Sequence, residues 1–367
     1  METNLGQLSS SSSTETVDLR NHSFEYNYFL YKDEELERNG NVLFMARFFI
    51  GITLACVMLV CGFGNLLFIL ALVKNKKQCS ITNILIANLA VSDLLVAVVC
   101  CPFEMDYYVV REQSWAFGHV ICSSVNYLRM VSLYVSTNAL LAIAVDRYIV
   151  IVYPLEPRMM LRTACGVLLT IWLTSLFIAA PTAYFTTETA FDATFDSGGK
   201  IFCGQIWPAN MALFYKSYSI FLLSIEFLIP VIIMSLCYIR ICYELWFKDL
   251  PGVQTEQLRG RLHARRKAVL VLVAVLLAYI FCWSPFYGYA IIRDFYPALL
   301  LKERHAIEVY YIVECIAISN SIINTLFFMT VKDRKQIFLK VHYGGRKSSI
   351  ERNTLQECKS YNPPTAV

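Results

Sequence analysis

Seven apolar runs divide the chain, at about 48–73, 81–103, 120–145, 163–185, 217–239, 268–292 and 309–329. Each is long enough, and poor enough in charge, to cross a bilayer as a helix. The third run carries a single charge, Arg129, between Cys122 and the closing triplet Asp146-Arg147-Tyr148. At about 1.5 Å per residue this stretch spans roughly 37 Å, somewhat more than a hydrocarbon core of about 30 Å. One helix therefore sets a cysteine near one membrane face and a charged triplet near the other. Arg129 falls about a third of the way down, where a charge facing lipid costs a few kcal/mol, so it must face protein or water. The pattern predicts an all-α membrane protein, a seven-transmembrane helix bundle.

Composition agrees. The 367 residues are 57% hydrophobic and only 16% charged, against about 25% charged in soluble domains. The placement of charge says more than the net +4. Lys74, Lys76 and Lys77 follow the first run, a cluster from Lys248 to Lys267 separates the fifth and sixth, and Lys332, Arg334, Lys335 and Lys340 follow the seventh, whereas the link at 104–119 has only Arg111. The positive-inside rule then puts the N-terminus outside and the C-terminus inside, as a multi-pass protein of the plasma membrane. Residues 1–44 read as a disordered outer segment with no cleavable leader, since 1–41 are polar. Asn21-His22-Ser23 within it is a glycosylation sequon. Residues 45–329 form the membrane domain, 330–342 an amphipathic helix lying against inner-face lipid, and 343–367 a disordered tail.

Thirteen cysteines are present. Most lie inside apolar runs and read as small buried hydrophobes. Cys122 and Cys203 are placed at the outer face, as a disulfide pair or as two free thiols. Within the spans each run carries a polar or helix-breaking feature at a particular depth. Asp93 lies near mid-bilayer and needs partners, for which Asn65, Ser136, Asn320 and Asn324 are the candidates. A carboxylate ringed by amides and a hydroxyl suits a small hard cation such as sodium, or forms a hydrogen-bond cluster without one. Toward the outer side stand Glu104, Arg129, Glu226, Arg293 and Glu314, with Asp106 nearby. Arg129 is expected to pair with Glu104 or Glu314, and the rest to form a polar vestibule suited to a peptide or a small secreted protein, or to serve as a structural network.

Gly62-x-Gly64-Asn65, Asn88-Leu89-Ala90-x-x-Asp93, Asp146-Arg147-Tyr148, Trp172, Pro230 with Tyr238 eight later, Cys282-Trp283-x-Pro285 and Asn320-Ser321-x-x-Asn324 together resemble the rhodopsin-like family of G protein-coupled receptors. The resemblance covers about 45–342. It implies that Arg147 engages a heterotrimeric G protein and is restrained by Asp146, that Cys122 and Cys203 are bridged, and that Asp93 holds sodium. It also implies that Trp283 is the switch beneath the ligand and Tyr238 a partner of the active state. Two positions depart from the family. The usual N-P-x-x-Y reads Asn324-Thr325-Leu326-Phe327-Phe328, and Tyr279 stands where phenylalanine is usual.

Longer strings resemble one subfamily, the prokineticin receptors: Cys100–Arg111, Val131–Asn138, Tyr184–Thr189, Ile201–Pro208 and Glu244–Lys248. That resemblance implies a secreted, cysteine-rich peptide or protein ligand with an apolar N-terminal segment, coupling mainly to Gq-class proteins with calcium release, and regulation by arrestin. Other classes fit poorly. An amine receptor needs an anion where Arg129 stands, and an opsin needs a lysine in the seventh run. No nucleophile–base pair or zinc spacing supports an enzyme, nothing points to nucleic acid, and no cofactor beyond the sodium ion is implied. The alternatives are another neuropeptide receptor of the same family and, from a different class, a non-signalling decoy receptor. The terminal Thr365-Ala366-Val367 fits capture by a PDZ domain.

Overall fold

The computed structural model describes residues 40–74, 80–157, 159–190, 201–247, 256–302 and 306–330. Among them are seven helices long and apolar enough to cross a membrane: α1 Phe44–Lys74, α2 Ile81–Val110, α3 Gly118–Val152, α4 Leu161–Phe185, α5 Ala212–Trp246, α6 Leu262–Phe295 and α7 Val309–Phe327. Each matches one apolar run, and most extend beyond it. A polar residue ends a run but not a helix, because the helix satisfies its backbone groups internally and can continue into the headgroups and water. Ahead of Phe44 the helix already begins at Gly40. The sequon at Asn21, the amphipathic helix expected over 330–342 (save its first residue) and the tail at 343–367 lie outside the described residues.

Helix α3 is the axis of the bundle. It packs against α2, α4 and α5, while α1 against α2 and α7, and α6 against α5 and α7, close the ring around it. The largest core layer joins Leu85 and Leu89 of α2, Leu140 and Ile143 of α3, Met234 and Ile241 of α5, and Val275, Tyr279 and Trp283 of α6. The Trp172 indole of α4 donates to the Asn88 side-chain oxygen of α2 at 2.8 Å, which accounts for two of the polar positions seen in the runs.

Four stretches are wound wider than an α-helix: Met58–Phe63, Val96–Cys100, Asp106–Val110 and Leu223–Leu228. In three of them a backbone N–H reaches five residues back: Cys101 to Val96, Arg111 to Asp106 and Ile229 to Ser224. Two lie just before Pro102 and Pro230. Proline has no N–H and crowds the carbonyl four residues earlier, and a wider turn relieves both conflicts.

The apolar pattern did not predict a sheet. Beyond α4 the chain forms an antiparallel hairpin of β1, Thr186–Ala190, and β2, Ile201–Gln205, with Glu188 opposite Cys203. Several attachments hold it over the bundle. Cys203 is bridged to Cys122, the Trp115 N–H donates to the Ile201 carbonyl at 2.7 Å, and the Ile206 N–H to the Phe185 carbonyl at 2.9 Å.

Candidate functional site

Beneath the hairpin lies a cavity of about 210 Å³. Its wall is rich in aromatic rings, with Tyr107, Tyr108, Tyr215, Phe286, Tyr287 and Tyr310 among them, and its charged lining residues are Arg129 and Arg293. Strand β2 roofs it with Phe202, Cys203, Gly204 and Gln205. A Cβ at Gly204 would come within 2.5 Å of the Phe202 ring, so a larger residue there would push that ring aside. The disulfide therefore does more than join two elements. It holds this strand against the outer end of α3.

Arg129 separates this cavity from a deeper one of about 70 Å³, and lines both. The deeper cavity is also lined by Glu104, Glu314, Asp93, Ser136, Trp283, Asn320 and Ser321. Arg129 takes both of the carboxylates proposed for it. Its Nε stands 3.4 Å from Glu104 Oε1 and its NH1 donates to Glu314 Oε1. Helices α2, α3 and α7 are thus joined through one guanidinium. The vestibule is not uniformly mixed in sign: the two arginines face the outer space, and the carboxylates lie below.

Glu226 departs from the expected grouping. It lines neither cavity and is 1% exposed in the wide turn of α5. The extra residue of that turn rotates the side chain into the bundle rather than toward the vestibule. Its backbone carbonyl accepts from the Tyr279 hydroxyl at 2.6 Å. Arg293 does line the outer cavity, with its Nε on Asp294 Oδ1 and its NH2 on the Tyr215 hydroxyl, both at 2.8 Å.

Asp93 Oδ1 accepts from Ser136 at 3.5 Å, and Ser136 bonds Ser92 at 2.8 Å. Ser321 and Asn320 of α7 line the same cavity. Asn65, expected beside Asp93, instead donates to the Thr325 hydroxyl at 3.0 Å. Thr325 stands where the family usually has proline, and its hydroxyl draws the α1 amide toward α7. Asn324, also expected beside Asp93, is buried but does not line that cavity.

At the inner end of α3 the Arg147 guanidinium is folded back. Its NH2 donates to Asp146 Oδ2 at 2.6 Å and its Nε to the same oxygen at 3.1 Å. Thr82 of α2 completes the cluster, accepting from Arg147 and donating to Asp146 at 3.3 Å. Tyr148 packs its ring edge-on to Tyr153, and Tyr238 is buried in the largest core layer. Trp283 lies edge-on to Phe286, which lines both cavities.

Residues 64–327 match the model of the 7 transmembrane receptor (rhodopsin family). The chain belongs to this family. The receptor is 58% identical over 335 residues to human prokineticin receptor 1, covering 89% of this chain and 85% of the relative. It is 59% identical over 297 residues to human prokineticin receptor 2, covering 81% and 77%, and 54% identical over 339 residues to mouse prokineticin receptor 2, covering 90% and 88%. It is a multi-pass membrane receptor and not an enzyme.

Several residues of the receptor's polar clusters escaped the sequence reading. Thr82 and Ser92 are hydroxyls on helices, and nothing local separates a hydroxyl that meets a polar side chain across the bundle from one that bonds only its own backbone. Asp294 and Thr325 left a signal. Asp294 is an acid directly after a vestibule arginine, and Thr325 is itself the departure from the family pattern.

Proposed function

We propose that this receptor binds a prokineticin at its outer side and activates a heterotrimeric G protein at its inner side. The observation that carries the reading is the identity of 58% across 89% of the chain with a receptor named for that ligand. The outer cavity suits the apolar end of a secreted, cysteine-rich protein. Aromatic walls bury apolar side chains, Arg129 and Arg293 donate to ligand carbonyls, and Glu104 and Glu314 beneath Arg129 suit a free amine. A ligand that draws Arg129 toward itself loosens its hold on these carboxylates. It also presses on Phe286 and through it on Trp283, beside the proline-interrupted turn of α6. Such a packing element with two arrangements is what carries a signal across a bundle. At the inner face, Arg147 released from Asp146 and Thr82 becomes a donor for the G protein, with Tyr238 as a partner of that state and Asn324 as part of the switch.

The N-terminus, glycosylated at Asn21, lies outside and the basic inner links lie in the cytoplasm. Coupling is mainly to the Gq class with calcium release. Arrestin and a PDZ domain at Thr365–Val367 are further inner-side partners, and residues 330–342 rest on lipid. Asp93, Ser136, Ser321 and Asn320 supply the oxygen donors for a sodium ion, a hard-cation set; Asn65 and Asn324 stand outside it. Sodium in place of choline then raises the thermal stability of the empty receptor, and Asp93→Asn removes the difference.

The deciding experiment is prokineticin-stimulated nucleotide exchange on purified Gq by the reconstituted receptor, with Arg147→Ala alongside. Exchange that Arg147→Ala abolishes, with ligand binding retained, is the expected outcome. Binding without exchange by the wild type makes the chain a decoy, and absence of binding removes the ligand assignment.

A further inference from the structure

Asp294 lies behind the wall of the outer cavity and bonds three residues that form it. Its Oδ1 accepts from the Tyr215 hydroxyl and from Arg293 Nε, each at 2.8 Å, and its Oδ2 accepts from Ser219 at 2.5 Å. Arg293 NH2 donates in turn to the Tyr215 hydroxyl at 2.8 Å, which closes a triangle. Tyr215, Ser219 and Arg293 line the cavity, whereas Asp294 does not, and its side chain is 0% exposed. Tyr215 and Ser219 are one turn apart on α5, so both hydroxyls face the same point on α6.

Bonds from donors to an ionised carboxylate are short and about twice as strong as neutral ones. One of them, from Nε, together with the NH2 bond to the Tyr215 hydroxyl, sets the plane of a guanidinium that is otherwise at the end of a long side chain. A planar donor held in one orientation before the ligand arrives loses less freedom on binding. The geometry points to Asp294 as a positioning residue for ligand recognition: it never touches the ligand, but holds Arg293 at the rim of the cavity, oriented for an oxygen acceptor of the ligand, a carbonyl or a carboxylate. This rests on the reading of the outer cavity as the ligand site. A merely structural brace between α5 and α6 would use the same bonds, and the experiment separates the two.

The affinity of labelled prokineticin is measured on the full receptor for Arg293→Ala, Asp294→Asn and the double variant, at matched surface level. Each single variant is expected to lose about tenfold or more. The double variant is expected to lose no more than Arg293→Ala alone, because a residue that acts only through Arg293 has nothing left to position. A product of the two losses overturns the inference in favour of a brace. A loss with Arg293→Ala but under about threefold with Asp294→Asn also overturns it and leaves the ligand site standing. No loss with either variant removes the cavity reading together with it. Where Asp294→Asn does not reach the surface, Tyr215→Phe, which keeps the ring and removes the bridge, replaces it in the same cycle with the same expected pattern.

Discussion

The Tyr279 hydroxyl on α6 donates to the backbone carbonyl of Glu226 on α5 at 2.6 Å. In a regular helix that carbonyl would accept from residue 230, which here is proline and has no N–H. The helix-breaking residue of α5 and the family departure on α6 are therefore two ends of one arrangement. A phenylalanine at 279 could not make this bond.

Tyr279→Phe keeps the ring contacts with Phe227 and Trp283 and removes the hydroxyl, with its bond to the Glu226 carbonyl and its 3.3 Å bond to the Thr137 hydroxyl. A buried carbonyl that loses its partner costs about 1–3 kcal/mol. The empty receptor is expected to melt earlier in detergent by a corresponding amount. An unchanged melting temperature would show that the carbonyl finds another donor.

Arg129 stands between two carboxylates, so Arg129→Ala strands two buried anions rather than one. Breaking a buried pair in this way costs about 3–5 kcal/mol. The empty receptor should lose stability on that scale, and agonist potency should fall about tenfold or more. Adding Glu314→Gln should restore part of the stability and none of the potency. A double-mutant cycle on thermal stability without ligand checks it: coupling below about 0.5 kcal/mol to both Glu104 and Glu314 would mean that Arg129 is held by neither.

The Cys122–Cys203 bridge spans 81 positions, and closing a loop of that order restricts the unfolded chain by about 4 kcal/mol. Cys203→Ser also frees the strand that roofs the cavity. The variant should lose ligand binding and surface level together. Wild-type affinity on the fraction that reaches the surface would show that the other hairpin attachments suffice.

At the inner side Arg266 of α6 donates from Nε and NH2 to the Leu245 carbonyl at 2.9 and 2.6 Å and lies over the Trp246 ring. It caps the end of α5 and ties it to α6. Arg266→Ala should cost about 1.5–3 kcal/mol and raise hydrogen exchange at the last turn of α5. Arg266→Lys should recover less than half, since an ammonium cannot reproduce the paired contact. Equal exchange in all three proteins would rule the cap out.

The seven helices were legible before any coordinates, because crossing hydrocarbon imposes length, apolarity and internal hydrogen bonding on each segment separately. The chemistry of individual positions was legible for a related reason. A charge inside a span is so costly that Asp93, Arg129, Glu104 and Glu314 identify themselves by their presence. Even the pairing of Arg129 followed from depth along the helices. What could not be read was rotation and reach. A helix carries its residues at a known height, but the wide turn at Leu223–Leu228 decides which way Glu226 faces, and it took that residue out of the vestibule. Asn65 lies at a height compatible with Asp93, yet the packing of α1 on α7 gives its amide to Thr325. Thr82, Ser219 and Asp294 gain their roles from neighbours more than 60 residues away in the chain. Periodicity and composition describe a single helix against its surroundings. Which side chain meets which across the bundle depends on how the helices are turned and spaced, and that is set by all of their contacts at once.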